Sequence, residues 1–200
     1  MALELLLKKE DPKVILVLWE GEIWKEMSKS LFFNELRKIP FDLDWSGFLE
    51  RFSLIEERVG KRYAFYLLSQ RALLSSELKD KLLSKGISSD VAAAIIRECV
   101  DKGFLDDRQE VARLVAKELK KGLSSKAVFF KLRTKKRIDE SLLHEHLDDS
   151  STDAAVLQKW LAKHAKKIDR ENPQEMRKWM AKLCRKGFSP ELIFKTLGDN

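Results

Sequence analysis

The chain has 200 residues, of which 44% are hydrophobic and 36% are charged, so it can build a core and carries too much charge for most secreted or fibrous classes. Its 39 basic and 32 acidic residues give a net charge of +7 and a pI near 9.3. With only eight Gly and four Pro, the composition favours helices over sheets and disorder. The longest apolar run, residues 14–19, is far shorter than a membrane-spanning helix of roughly 20 residues, so no membrane association is expected.

The start of the chain predicts a small β-hairpin. Residues 13–19 form a β-branched and aliphatic run, Glu20-Gly21 is a turn signal, and residues 22–25 resume polar/apolar alternation. Residues 1–9 are Leu-rich but too short for a secretory signal peptide.

Two capping signals predict helices after this hairpin. Ser30 is expected to cap a helix that ends before Pro40, and Asp44 to cap a second helix. We therefore assign residues 1–60, which carry nine basic and twelve acidic side chains, to a region of one hairpin and helix.

From residue 62 onward the pattern is helical, and one motif occurs three times at intervals of about 50 residues. Each copy opens with a capping residue (Ser75, Ser124 or Asn172) and carries apolar residues at helical spacing. Each ends in a basic turn before one apolar residue and a new cap. A leading and a trailing helix flank each motif, with leading helices expected at 62–72, 107–121 and 153–168.

The predicted fold is mainly α, an elongated and curved tandem array of three three-helix repeats preceded by the hairpin and helix. The predicted boundaries are 1–60, 61–105, 106–151 and 152–200. Gly86 and Gly187 lie where a helix end needs a left-handed residue, but the second repeat has Lys136-Arg137 there, which puts the angle between its helices in question.

The sequence offers no catalytic residues, metal site or cofactor motif, and no P-loop, GxGxxG or GxSxG occurs. His144, His146 and His164 are expected to have surface roles. Asp106 is interpreted as the start of a capping box. We therefore expect a binding protein and not an enzyme.

The two cysteines, Cys99 and Cys184, do not have the number or spacing of a disulfide framework, which fits a reducing cytosol. Both are expected to be small buried hydrophobes.

Basic residues outnumber acidic ones by ten over residues 61–200, and residues 113–137 hold ten basic residues against the single acid Glu118. This excess of positive charge indicates a polyanionic partner, and nucleic acid is the first candidate. A helix with one buried apolar stripe and Lys or Arg on its other faces can follow a phosphate backbone. Trp160 and Trp179 could stack on bases, but their spacing favours core packing. The candidate binding residues are Lys120, Lys121, Lys126, Lys131, Arg133, Lys135, Lys136, Arg137, Lys178, Lys182, Arg185 and Lys186.

Three motifs in order resemble the RecX family of recombination regulators, over residues 62–197. Gly-Phe-Leu-Asp-Asp at 103–107, followed by a helix ending in Leu-Lys-Lys-Gly at 119–122, is similar to the family's central signature. Residues 78–87 resemble its first repeat, and Arg-Lys-Gly-Phe-Ser at 185–189 resembles its last. The Gln-Glu-Val at 109–111 and the bulky Phe129-Phe130 depart from the family pattern.

The resemblance implies a cytoplasmic, monomeric protein that binds the RecA recombinase in the groove of its filament on single-stranded DNA. There it would limit filament growth, ATP hydrolysis and strand exchange, in DNA repair and the SOS response. The candidate basic residues would then face recombinase or DNA. Two alternatives stay open: a protein that binds DNA weakly and without sequence preference and acts through DNA alone, and a scaffold that binds only protein.

Overall fold

The structure, a computed structural model, describes residues 3–40, 43–147, 150–164 and 172–198. These residues form a three-stranded sheet and ten helices, which confirms a mainly helical fold with a small N-terminal β region. The chain divides into two compact units, Met1–Asp107 (unit 1) and Arg108–Asn200 (unit 2). No helix in the described ranges combines the length and apolar character that crossing a bilayer requires.

The elements are β1 (Leu3–Leu7), β2 (Val14–Trp19), β3 (Glu22–Ser28), α1 (Lys29–Leu36), α2 (Trp45–Gln70), α3 (Ser75–Leu83), α4 (Ser89–Asp101), α5 (Asp107–Leu119), α6 (Ser125–Lys136), α7 (Glu140–Leu147), α8 (Ser150–His164), α9 (Pro173–Arg185) and α10 (Pro190–Gly198).

The predicted hairpin, β2 and β3, supplies two of the three strands of an antiparallel sheet of order β1-β2-β3. The turn between β2 and β3 forms as predicted, with positive φ at both Glu20 (51°) and Gly21 (83°), as in a type I′ hairpin. The additional strand β1 pairs with β2 from Leu3 opposite Trp19 to Leu7 opposite Ile15. Its Leu-rich sequence lacks the β-branched residues and strict alternation that mark a strand, so pairing with β2 determines its conformation.

Helix α2 runs unbroken for 26 residues, so the predicted second helix and the predicted leading helix at residues 62–72 are one element that crosses residues 60 and 61. Asp44 caps it as predicted, accepting a hydrogen bond from the Gly47 N–H at 2.8 Å. Helix α1, in contrast, begins at Lys29 after Ser28, so Ser30 lies inside the helix and the prediction that it caps was wrong.

The core of unit 1 forms where one face of the sheet meets α1 and α2. Ile15 and Val17 of β2 and Phe32, Phe48 and Phe52 of the two helices are buried there. Rings from β2, β3 and α2 extend this core, and burying large aromatic side chains makes a strong contribution to stability. The rings are Trp19, Trp24, Trp45, Phe48 and Phe52.

Helix α2 also packs on α3 and α4, and this trio forms the first three-helix group. The predicted cap of α3 was wrong: the Ser75 side chain caps nothing, and its N–H donates to Asp107 Oδ1 at 2.7 Å. The two later caps are confirmed. Ser124 accepts from the Ala127 N–H, and Asn172 accepts from the N–H groups of the first turn of α9.

In unit 2, α6 packs on α7 and α8, and α10 packs on α8 and α9. The last three helices surround a core that includes Leu157, Trp160, Leu183 and Ile193. Cys99 in unit 1 is buried as predicted, but Cys184 on α9 is exposed, so the prediction that it is buried was wrong.

The turn after each middle helix needs one left-handed residue. Gly86 (φ 85°) and Gly187 (φ 93°) supply it as predicted. In the second repeat Arg137 adopts φ 51° and ψ 36°, so a non-glycine residue takes the same backbone conformation and the turn is kept.

Candidate nucleic-acid interface

All twelve candidate basic residues lie in unit 2, on three elements. Lys120 and Lys121 are in the turn between α5 and α6, and Lys178, Lys182, Arg185 and Lys186 lie along and just after α9. Those on or just after α6 are Lys126, Lys131, Arg133, Lys135, Lys136 and Arg137.

Several of these cations are held by nearby acids. Glu118 on α5 is only 7% exposed, and its carboxylate accepts hydrogen bonds from Lys121 Nζ at 2.7 Å and from Lys131 Nζ at 2.6 Å. Burial alone would raise the pKa of the Glu118 carboxyl, but the hydrogen bonds from these two ammonium groups outweigh it and lower the pKa. Arg133 pairs with Glu140 at 2.8 Å, and Lys178 pairs with Glu175 at 2.8 Å. These groups are partly neutralised within the chain.

Four other candidates are exposed and have no acidic partner among the described residues. Lys126 and Lys135 lie on α6 and Arg185 on α9, while Lys120 lies in the α5–α6 turn. Arg185 donates to the carbonyl of Ala181 in its own helix, at 3.3 Å. Their full charge is available to an external anion.

Lys182 and Lys186 lie against aromatic rings, so their ammonium groups contact indoles of unit 2. Lys182 Nζ is 4.4 Å from the centre of the Trp179 ring and 5.4 Å from that of Trp160. Lys186 Nζ lies 5.5 Å from the Trp160 ring and donates to the main-chain carbonyl of Lys121 at 3.0 Å. Burial, and then repulsion from Lys182, lower the pKa of the Lys186 ammonium. Positive charge is therefore concentrated here without a compensating carboxylate in the described residues.

Trp160 is 9% exposed and belongs to the core, as its spacing predicted, whereas Trp179 is half-buried at the edge of that core. The ring of His164 stacks on Trp160 with centroids 3.9 Å apart and planes 20° apart. Its Nδ1 also lies 2.7 Å from the Trp160 carbonyl oxygen, which fixes the orientation of the ring. The expectation of a plain surface role for His164 was therefore wrong, because the side chain is half-buried against an indole.

A groove of about 700 Å³ runs between the C-terminal end of α5 with its following turn and one face of α8. Gly122 lets the turn approach Trp160 closely, because a Cβ there would lie 2.2 Å from Trp160 Cδ1. Of the residues that the structure describes, the polar side chains lining the groove are four lysines and one histidine and include no acid: Lys120, Lys121, Lys159, Lys163 and His164.

Sequence reasoning did not identify Lys159, Lys163 and His164 as parts of this site. A signal existed, because Lys159 and Lys163 are four residues apart and so share one face of a helix. What the sequence did not reveal is that the α5–α6 turn faces this part of α8.

Among the described residues, the other two histidines do not join a metal-binding cluster. The exposed His144 ring lies 4.9 Å from that of Phe129, and His146 is half-buried on the same helix. Across the described ranges, no three His, Cys, Asp or Glu side chains come together as metal ligands would.

Comparison with known proteins links this chain to one family. A family model described as "RecX, third three-helix domain" matches residues 151–197. The chain is 30% identical over 173 residues to a regulatory protein RecX of Bacillus licheniformis, an alignment that covers 80% of this chain and 65% of the relative. It is 28% identical over 133 residues to a regulatory protein RecX of Streptococcus mutans, covering 65% and 51% respectively. The alignments thus span less than two thirds of the length of these two relatives.

Two solved structures share the fold. The crystal structure of a regulatory protein RecX aligns over the whole of both chains with a TM-score of 0.63 at 17% identity. The crystal structure of RecX from Lactobacillus salivarius aligns over 72% of this chain and 96% of the L. salivarius chain, with a TM-score of 0.59 at 22% identity. At these identities the structural likeness concerns the fold alone.

Proposed function

This chain belongs to the RecX family by the match of its third three-helix domain and by its sequence relatives, and from that premise we propose that it is a non-enzymatic regulator of a RecA-type recombinase. It binds the recombinase filament on single-stranded DNA and inhibits filament growth, ATP hydrolysis and strand exchange in DNA repair. It works in the cytoplasm, as a monomer, and needs no cofactor.

The observation that carries this proposal is the separation of charge between the two units. Residues 108–200 hold 22 basic and 13 acidic side chains, whereas residues 1–107 hold 17 and 19. Unit 2 therefore has an excess of nine positive charges, and it is the unit that contains the lysine groove and the exposed cations on α6 and α9. A nucleoprotein filament is a polyanion, and a basic unit of this kind is attracted to it and steered toward it.

The experiment is a titration of this protein into a RecA-type recombinase that hydrolyses ATP on single-stranded DNA. The wild-type chain should suppress hydrolysis. A charge-reversed variant, Lys126→Glu with Lys135→Glu and Arg185→Glu, should need a more than tenfold higher concentration, because like charges across an interface cost several kcal/mol. These three side chains are exposed and lack acidic partners in the described structure, so the fold should be unaffected.

The matched control reverses three exposed lysines of unit 1, Lys9, Lys13 and Lys79, of which Lys79 lies on the middle helix α3. It should inhibit like the wild type. The proposal fails if the wild-type chain leaves ATP hydrolysis unchanged at saturating concentration.

A second candidate, a protein that acts on DNA alone, is favoured by the same groove, because lysines and an aromatic ring can bind nucleic acid without any protein partner. It predicts salt-sensitive DNA binding with no effect on the recombinase beyond competition for DNA. Inhibition that persists when DNA is in large excess over this protein would exclude it.

A further inference from the structure

The groove beside α8 has features of a ligand site that its cations alone do not explain. Three lysines, Lys120, Lys159 and Lys163, are exposed along it, and no described acid lies within ion-pair distance of any of them. The fourth, Lys121, is held by Glu118. The site therefore presents, on two different elements, three spaced ammonium groups that no described acid neutralises.

The wall between these lysines is aromatic. The His164 ring covers the buried Trp160 indole in parallel at 3.9 Å, and its Nδ1 contact with the Trp160 carbonyl holds it there. Both rings line the groove. Because Trp160 is only 9% exposed, His164 is the ring that can meet a ligand face to face.

The volume of about 700 Å³ exceeds what one phosphate ion fills and suits a chain of several linked groups. Lysines along a groove follow a phosphate backbone, and an aromatic ring between them offers a surface on which an unpaired base stacks. A duplex keeps its bases stacked on one another and leaves the ring unused. An acidic peptide would satisfy the lysines only.

We propose that this groove is a binding site for single-stranded nucleic acid, with backbone phosphates on Lys120, Lys159 and Lys163 and one base stacked on His164. This deepens the proposed function, on which it rests for its biological setting, by naming the ligand of one face of unit 2. Recognition does not depend on sequence, because every base has a flat face.

The first test measures binding of a labelled oligothymidylate of about twelve nucleotides to the full chain, with no recombinase present. The groove variant Lys120→Gln with Lys159→Gln and Lys163→Gln should bind at least tenfold more weakly. For this variant, the slope of log affinity against log salt concentration should be smaller by roughly 2, since three phosphate contacts are lost and each contributes about 0.7 on a single strand. The control variant Lys9→Gln with Lys13→Gln and Lys79→Gln should bind within twofold of the wild type.

The second test isolates the base. His164→Ala should lower oligothymidylate affinity about tenfold, whereas His164→Phe, which keeps a flat ring, should restore it. Neither change should alter binding of an abasic deoxyribose-phosphate chain of the same length. The wild type should bind that abasic chain, a matched duplex and a polyglutamate peptide at least tenfold more weakly than the oligothymidylate.

The inference is overturned if the groove and control variants bind alike, if the abasic chain or the peptide binds as tightly as the oligothymidylate, or if the duplex is preferred. It is also overturned if His164→Phe loses as much affinity as His164→Ala while keeping the wild-type melting temperature. Failure here leaves inhibition of recombinase ATP hydrolysis intact, and loss of that inhibition leaves this assay unaffected, so the two proposals fail separately.

Discussion

Asp153 on α8 accepts two hydrogen bonds from Ser125 at the start of α6, from its N–H at 2.6 Å and its hydroxyl at 2.8 Å. In unit 1, Asp107 at the start of α5 accepts the N–H of Ser75 at the start of α3, at 2.7 Å. A carboxylate at a helix N-terminus satisfies a free N–H group and complements the helix dipole. In both units an acid from a later leading helix thus fixes the start of an earlier middle helix.

We expect Asp153→Ala to lower the free energy of unfolding by about 1–2 kcal/mol, because it removes this cap from α6. Gln158→Ala, an exposed position on the same helix, should change it by less than about 0.5 kcal/mol. Urea unfolding followed by circular dichroism measures both. Equal effects of the two changes would show that the carboxylate contributes nothing to stability.

These contacts show what the sequence could and could not predict. The helical array, the β2–β3 turn and the Asp44 cap depend on residues within a few positions of one another, so periodicity and capping rules found them. Ser75 was misassigned because its partner lies 32 residues away.

Two other features were missed for the same reason. Glu56 lies in the acidic N-terminal region, but it is 4% exposed and accepts hydrogen bonds from Lys25 and from the N–H and hydroxyl of Ser88. The basic residues of α6 and α9 were visible in the sequence, whereas the groove that Lys159 and Lys163 line exists only because the α5–α6 turn lies against Trp160.

The turn at Gly122 permits a direct test of that close approach. Gly122 (φ 74°) and Gly103 (φ 71°) have nearly the same backbone conformation, but a Cβ at Gly122 would collide with Trp160 whereas one at Gly103 would meet nothing within 4 Å. Gly103→Ala should cost only the left-handed strain, roughly 1–2 kcal/mol.

Gly122→Ala should cost at least about 2 kcal/mol more, because the turn or the indole must move within a packed region. Thermal melts of both variants measure the difference. Equal losses would mean that the turn does not press on Trp160.

Arg137 is the one described residue at the end of a middle helix that adopts a left-handed conformation without being glycine. Replacing it with glycine relieves that strain, and we expect Arg137→Gly to stabilise the chain by about 0.5–1 kcal/mol. Arg137→Ala serves as the control, since it removes the same side chain and keeps the strain, so its stability should stay near that of the wild type. An Arg137→Gly variant that melts no higher than Arg137→Ala would contradict the prediction.

Glu118 gives unit 2 a predictable dependence on pH. Because hydrogen bonds from Lys121 and Lys131 lower its pKa, the folded state holds the carboxylate form more strongly than the unfolded chain, whose Glu has the ordinary value of 4.5. The stability that this provides is complete above that ordinary value and is lost as the pH falls through the lowered one.

At neutral pH, Glu118→Gln should therefore destabilise the chain by about 1–2 kcal/mol, because the buried carboxylate that accepts hydrogen bonds from two ammonium groups loses its charge. The loss is no larger because Lys121 and Lys131 are half-exposed and can be hydrated instead. The penalty should shrink at an acidic pH below the ordinary value of 4.5, because the stability that the carboxylate provides is lost as the pH falls through its lowered pKa. Glu140→Gln breaks the solvent-exposed pair with Arg133 and should cost less than about 0.5 kcal/mol. Urea midpoints of the three proteins at both pH values measure this, and a Glu118→Gln penalty that is the same at both would refute the assignment of the pH dependence to this carboxylate.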